Sequence, residues 1–541
     1  MSGSGDTIRK CPPRGGLVCL RDSNRMTTRP SVARCRGAAG VTLVLALAGT
    51  TLIACRTAVP QWPAPVRTLT RGDDTYRAYD LDDDGRVDYL QRLRGGYVDR
   101  LYFPAARDGP LRDRVVRPAA DPQHALLLVL LLDGVSFKRV ETLHAQGRFR
   151  LFHPPTPVVS VFPTLTDPAF DLLFGTGPTD GYEAGYFDHA SGRVTDGVKV
   201  YLSARFERWV RMTDYRLNFI EDAVMYVFPR GVCARELQRA RKIIAGRFAA
   251  GARDVVIYLL STDGLGHRLP GPELDRELAR LDDFIERLVY DYRGRIEIAM
   301  LADHGMSAVP AGRPPLRRWD IVATLRAAGL RVTDRPSRAG DVAVPLFGLL
   351  DMARVHTFDA DTRRRVVAVL RERPECELVA ERDGDVVRVY VGPDVAEIRG
   401  RSGPDGDRVY AYRPAAGDPL GVGLGPPEAD DAGYAPAAAW LAATHAAAFP
   451  HAVPRLWDGF FALTREHPDV VVSLTDEWYV GSGAFSRVVT LWGTHGGLHR
   501  RVSTAFLMTT AGRADGPSDL PAVRRRLREM FGWEPRERPG R

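Results

Sequence analysis

Four short apolar runs in this chain each stop at an aspartate or a histidine. Ala125 to Leu132 ends at Asp133-Gly134, and Ile296 to Leu301 ends at Asp303-His304. Asp254 to Leu260 leads into Ser261-Thr-Asp263-Gly-Leu-Gly-His267, and Val488 to Trp492 leads into Gly493-Thr494-His495-Gly496-Gly497. A continuous apolar run such as Ala125 to Leu132 is buried on both faces, as in a parallel sheet. Residues 235–248 and 273–291 read as helices. In the second, Leu274, Leu278, Leu281, Ile285 and Leu288 line one face. Strand alternating with helix predicts an α/β fold with a mostly parallel central sheet sandwiched by helices. Such sheets bind ligands at the carboxyl ends of their strands. The fold would therefore gather Asp133, Asp263, His267, Asp303, His304 and His495 at one edge.

The chain has 541 residues, 45% of them hydrophobic, which is enough for two or three domains. Its net charge of +8 is almost all arginine, scattered rather than clustered, so no nucleic-acid surface is evident. Arg29, Arg34 and Arg36 precede an apolar run from Val41 to Ala54 that is too short to span a bilayer. The run ends Leu52-Ile53-Ala54-Cys55, which resembles the lipobox of bacterial lipoproteins. That resemblance implies a signal peptide over 1–54, acylation (palmitate-type) of Cys55, and a cell-envelope location outside the cytoplasm with the membrane as partner. Met26 is an alternative start. An ordinary secretory signal or an uncleaved anchor is the competing reading. Cys233 and Cys376, far apart, either pair or stay buried and free.

Residues 55–66 form a Pro-rich tether, and 67–122 a small β-rich unit in which Gly85-Arg-Val-Asp-Tyr-Leu and Gly96-Tyr-Val-Asp-Arg-Leu-Tyr alternate as strands do. Before the first lie Asp80, Asp82 and Asp84, then Gly85 and Asp88. These match positions 1, 3, 5, 6 and 9 of a calcium loop, but position 12 is Gln91 rather than the bidentate Glu. A Ca2+ site and an acidic turn both fit. Residues 123–310 and 456–541 make the sheet domain, and the Pro- and Gly-rich stretch 311–455 reads as an inserted α+β cap.

Three carboxylates and three imidazoles are a mixed N/O ligand set that suits zinc, and six are too many for one tetrahedral ion, so two ions are expected. Between Asp263 and His267, a tight loop opened by Gly264 and Gly266 is expected to turn both side chains to one ion. Val158 to Asp167 reads VVSVFPTLTD: an apolar strand, then a helix starting at Asp167-Pro168. Thr166 at that junction is either a helix cap or a nucleophile. Phosphate binds well at a helix N-terminus, and a metal would lower the hydroxyl's pKa.

Asp133-Gly, Phe162-Pro-Thr-Leu-Thr166, Asp263-Gly-Leu-Gly-His267, Asp303-His-Gly-Met and Gly493-Thr-His495-Gly occur in the order found in the alkaline phosphatase superfamily. They resemble most its nucleotide pyrophosphatase/phosphodiesterase branch, over roughly 124–310 and 485–512, with the cap unmatched. The resemblance implies an alkaline phosphatase-like fold. It implies one zinc held by Asp263, His267 and His495, and another by Asp133, Asp303, His304 and the nucleophile Thr166, with Mn2+ or Fe as alternatives. It also implies hydrolysis of small phosphoesters, either phosphodiesters or nucleotide pyrophosphates, through a phosphothreonine. One departure stands out. The branch follows its nucleophile with a His-Gly and then an Asn that binds the phosphoryl group; here Gly175 to Asp188 carries neither, and Gly185 and Phe187 stand in that region. A phosphomonoesterase or phospho-group transferase is the competing enzyme reading, and a catalytically silent binding lipoprotein is the third. The intact Thr166 and six ligands weigh against the last.

Overall fold

The computed structural model of the chain describes residues 61–104, 111–115, 126–202, 208–310, 312–423, 425–481, 486 and 489–538. The signal peptide, Met26 and Cys55 lie outside the described residues. No described helix is long and apolar enough to cross a membrane.

The central sheet has six strands. In chain order they are β6 (Leu126–Leu132), β7 (Thr156–Val159), β8 (Asp254–Leu259), β9 (Ile296–Ala302), β10 (Thr504–Thr509) and β11 (Ser518–Asp519), following five strands of the N-terminal unit described below. Their spatial order is β8-β6-β9-β10-β7-β11. All run parallel except β10, which is antiparallel to both β9 and β7. The sequence LLLVLLL of β6 explains its place: Leu128 to Leu132 are buried, with paired strands on both edges and cover on both faces. Each fully buried leucine there is worth roughly 1.5–3 kcal/mol relative to exposure.

Helices α1 (Thr166–Phe174), α2 (Pro229–Ala249), α3 (Ser261–Arg268), α4 (Gly271–Asp291) and, after α5 (Ala452–Phe461), which packs on the strands Val386–Val391, Asp394–Ser402 and Arg408–Ala416, α6 (Leu520–Phe531) belong to the layers around the central sheet. The five residues expected on one face of α4 are all buried. Asp263 to His267 differs from expectation, because it is not a loop but lies in α3. The reason is spacing: i and i+4 already share one helix face, so no special turn is needed.

The N-terminal unit is an antiparallel meander of β1 (Arg67–Arg71), β2 (Asp74–Tyr79), β3 (Tyr89–Arg94), β4 (Tyr97–Pro104) and β5 (Leu111–Val115). It docks on α4. Buried Gln91 donates through Nε2 to Glu286 at 2.7 Å, and the Tyr89 ring lies 5.6 Å from that of Tyr290. The cap carries a nine-stranded sheet, antiparallel except for its first pair. That sheet reaches past the expected boundary at 455, because Val470–Leu474 is an interior strand, between Met352–Thr357 and Cys376–Asp383. A run of VVVSL states that a strand is buried but not which sheet buries it. Cys233 and Cys376 are both free, settling the pairing alternative.

Candidate active site

The segments leaving β6, β8 and β9 deliver five side chains of the expected set at once. Asp133 and Gly134 follow β6, Asp303 and His304 follow β9, and α3 presents Asp263 and His267 directly after β8. His495 comes from the loop before β10. Two clusters result, Asp263-His267-His495 and Asp133-Asp303-His304, each with one ligand atom per residue within 4.8 Å of the others. All six residues are buried. His267 Nε2 lies 3.2 Å from Asp263 Oδ1, and His495 Nε2 lies 3.5 Å from the same oxygen. His304 Nε2 lies 3.5 Å from Asp133 Oδ1 and 3.4 Å from Asp303 Oδ2. The His304 and His495 rings stack with centroids 4.0 Å apart, joining the clusters.

Each imidazole is oriented in the same way. Nδ1 of His267 faces Gly493 O at 2.8 Å, Nδ1 of His304 faces Gly305 O at 2.8 Å, and Nδ1 of His495 faces Thr164 O at 2.9 Å. A carbonyl only accepts, so each Nδ1 carries the proton and donates. Each Nε2 then turns its lone pair into the cluster, the usual arrangement of a metal-ligating histidine. The carboxylates are also held from outside. Tyr226 OH donates to Asp263 Oδ2 at 2.8 Å, Tyr258 OH donates to Asp133 Oδ2, and the N–H groups of Gly134 and His304 donate to Asp303 Oδ1 at 3.1 and 2.8 Å. The inward oxygens, Asp263 Oδ1 and Asp303 Oδ2, are buried without a hydrogen-bond donor.

The electrostatics point the same way. Burial pushes Asp133 well above the usual carboxylate range, and the Asp303 and Asp263 charges add to it. Burial pushes Asp303 up to about 7. Burial drives His304 well below its ordinary value and His495 down to about 4. Burial also acts to raise Asp263, but the His267 and His495 imidazoles outweigh it and hold that carboxylate low. Three crowded buried carboxylates, two of them with inward oxygens lacking donors, are costly unless a cation sits among them. The residues present therefore fit divalent metal, with mixed N/O donors of the zinc type.

Thr166 faces this centre. Its Oγ1 is 3.4 Å from both Asp133 carboxylate oxygens and 3.4 Å from His304 Nε2. The helix-cap alternative does not hold, because the N-cap of α1 is Leu165, Thr166 is the first helical residue, and no side-chain cap bond forms. Two motif glycines are dictated by close approach. A Cβ on Gly305 would lie 2.6 Å from Arg501 O, and one on Gly493 would lie 2.5 Å from Ser307 O.

Sequence reasoning missed the supports. Leu350 bridges His495, and Asp351 N donates to His495 O at 3.0 Å. Thr494 Oγ1 donates to Leu349 O at 2.9 Å, Gly497 N donates to Asp351 Oδ1 at 2.6 Å, and Leu498 N donates to Ser473 Oγ at 3.0 Å. The cap thus holds the loop that carries His495. Nothing in the local sequence around Asp351, Ser473, Tyr226 or Tyr258 marks this role.

Away from the centre, Asp80, Asp82 and Asp88 each offer an oxygen within 4.8 Å of the others in the β2–β3 connection. Asp84 is not in that group; its Oδ1 accepts from Arg86 N at 2.9 Å. Asp80 already accepts from Asp84 N and Gly85 N, and Asp88 from Leu81 N.

Residues 198–415 match the sequence model of the family described as type I phosphodiesterase/nucleotide pyrophosphatase. The matched region contains Asp263, His267, Asp303 and His304. It also runs well into the cap, so the expectation that the cap is unmatched is corrected; Asp133, Thr166 and His495 lie outside it. Among solved structures, murine ectonucleotide pyrophosphatase/phosphodiesterase 5 is similar over 77% of this chain and 97% of its own, at 12% identity and a TM-score of 0.43. No curated protein matches the sequence.

Proposed function

We propose that the protein is a two-metal hydrolase of phosphoric esters, acting on phosphodiesters or nucleotide pyrophosphates through a phosphothreonine on Thr166. One observation carries this reading: Thr166 Oγ1 stands 3.4 Å from Asp133 and His304, at a buried centre whose histidine Nε2 atoms all point inward. Asp263, His267 and His495 would hold one zinc, and Asp133, Asp303 and His304, with Thr166, the other. When bound, the ions supply charge neutralisation and a lowered hydroxyl pKa.

The chain's own residues do the rest. Thr166 Oγ1 gives up its proton and attacks phosphorus; the Oγ–P bond forms as the ester oxygen leaves. Water then attacks the threonine phosphate and regenerates the hydroxyl. The first turn of α1 offers the Thr166 and Asp167 N–H groups to developing charge. Tyr258 and Tyr226 keep the carboxylates in place, and the three carbonyls fix the imidazole tautomers. The lipobox-like junction at Cys55 supports an enzyme tethered by lipid to the cell envelope, outside the cytoplasm.

The test is a rate comparison on aryl phosphodiester and aryl phosphomonoester substrates with zinc present, for wild type and Thr166→Ala. Thr166→Ala should keep fold and metal, since its hydroxyl makes no cap bond, yet lose activity by several orders of magnitude. Near wild-type turnover in the variant would remove Thr166 from the mechanism.

A further inference from the structure

One residue connects the nucleophile to the far cluster. Thr164 stands between β7 and α1, two residues before Thr166, and is completely buried. Each of its polar groups bonds to the turn from His495 to Gly497. Its N–H donates to Gly496 O at 3.1 Å, and its carbonyl accepts from His495 Nδ1 at 2.9 Å. Its Oγ1 accepts from Gly496 N at 2.8 Å and donates to Gly497 O at 3.1 Å. A hydroxyl has one proton and two lone pairs, so both bonds form at once.

The two sides of this stitch lead to different clusters. Through His495 it reaches Asp263 and His267. Through the chain it reaches Thr166, whose Oγ1 lies 3.4 Å from Asp133 and His304. Two residues span at most about 7 Å, so a shift at Thr164 passes to Thr166 with little slack. The flanking chain is anchored without the hydroxyl. Ser160 N donates to Ser503 O at 2.8 Å. Buried Arg455 of α5 donates through Nη2 to Val161 O at 2.8 Å and Ser503 Oγ at 2.7 Å, and through Nη1 to Leu498 O at 3.4 Å. Those bonds close the fold here, and the Thr164 hydroxyl sets where the tip of the turn sits. Valine has nearly the same shape but neither donates nor accepts. It would leave Gly496 N–H and Gly497 O without these partners in a buried place. The turn would move to pair them again, carrying His495 along.

We propose that Thr164 is a positioning residue whose hydroxyl couples the two clusters, holding the His495 turn and the Thr166 turn at one separation. The inference rests on the two-metal hydrolase reading. Thr164 touches no reacting atom and acts through His495 and Thr166. Losing its hydroxyl should therefore have two effects. Zinc affinity at Asp263, His267 and His495 falls, as when an outer partner of a ligand is removed. Thr166 Oγ1 also stands off line, and that loss persists with both sites full, because added zinc does not restore alignment.

The experiment compares the full chain as wild type, Thr164→Val, Thr164→Ala and Thr164→Ser. Zinc affinities come from competition with a chromophoric chelator, and kcat and KM from an aryl phosphodiester at saturating zinc. Melting temperature is measured alongside. With valine, one of the two zinc sites should weaken ~10–100-fold and the other stay within ~3-fold. At saturating zinc, kcat should fall ~10–100-fold with KM little changed, since a displaced nucleophile lowers turnover rather than binding. Alanine should act alike, and serine, which keeps the hydroxyl, should restore both quantities. A merely structural residue would lower melting but leave zinc affinity and saturated kcat as in wild type. The proposal needs both effects; either one alone, neither, or no rescue by serine overturns it. If valine and alanine prevent folding, hydrogen exchange in the wild type decides. Filling the weaker zinc site should slow the Gly496 and Thr166 amides in step, and independent responses overturn the proposal. If wild type binds two zinc ions but cleaves no phosphoester, the hydrolase reading fails while the affinities still test the coupling. If it binds no zinc, both fail.

Discussion

Tyr258→Phe isolates the support under the metal centre from the centre itself. The ring of Tyr258 is 2% exposed and packs between Phe170 and Trp209, so phenylalanine keeps the core contacts. Only the hydroxyl is lost, and with it the donor to Asp133 Oδ2. A hydrogen bond to a charged partner is worth about 1.5–3 kcal/mol. Asp133 is itself 2% exposed, so water replaces that donor poorly. Outer partners of ligands typically carry 10–100-fold in metal affinity, about 1.4–2.7 kcal/mol, and the two ranges overlap. The assay is competition with a chromophoric chelator, followed by activity against free zinc. The zinc needed for half-maximal activity should rise by about 10–100-fold, with near wild-type rates restored at saturation. Unchanged zinc affinity would refute the reasoning that Tyr258 orients a metal ligand.

Further expectations follow from other parts of the molecule. The mature protein should hold close to two transition-metal ions after mild dialysis, and chelation should abolish activity; absence of zinc, manganese and iron, with no response to added metal, would end the metallohydrolase reading. Cys55→Ser should move the protein out of the membrane fraction and remove its lipid mass, whereas an unlipidated wild-type N-terminus elsewhere would reject the anchor. Burial pushes Glu286 up to about 8, with Asp282 adding to it, beneath the N-terminal sheet. The folded state therefore binds a proton that the unfolded chain has released, and stability falls as pH rises from the ordinary glutamate value toward 8, by about 1.4 kcal/mol per pKa unit. Glu286→Gln should melt higher than wild type at pH 8 and converge with it near pH 4.5; a constant difference across that range would show that Glu286 does not titrate this way.

Part of the site was legible because Asp133, Asp303 and His304 sit directly after a strand or in the turn beyond, where an apolar run ends in a polar residue; His267 lies within α3, and the run Val489 to Trp492 before His495 is a loop rather than the strand its apolar residues suggest. Asp133, Asp303 and His304 needed no knowledge of the fold beyond that edge rule. The conformation of Asp263 to His267 was not legible, since two glycines suggest a loop and only tertiary packing makes α3 helical there. Pairing was illegible too. Val470–Leu474 looks like any buried strand, and its assignment to the cap sheet depends on partners more than a hundred residues away. Tyr226, Tyr258 and Asp351 carry no local signature, because a supporting residue is defined by what it touches and not by its neighbours in sequence.

The hold of the cap on the Gly493 to Leu498 loop restricts how this protein can move. Many hydrolases cover their substrates with a lid that swings on a hinge. Here the strand-like contact at Leu349 to Asp351, with Ser473 behind it, is the backing of His495. Swinging the cap away would pull that ligand from its cluster. The cap is thus a clamp that must stay shut for the cluster to stay whole, and protection of the Asp351 amide from hydrogen exchange should be lost only in the same opening event that separates His495 from Asp263 and His267.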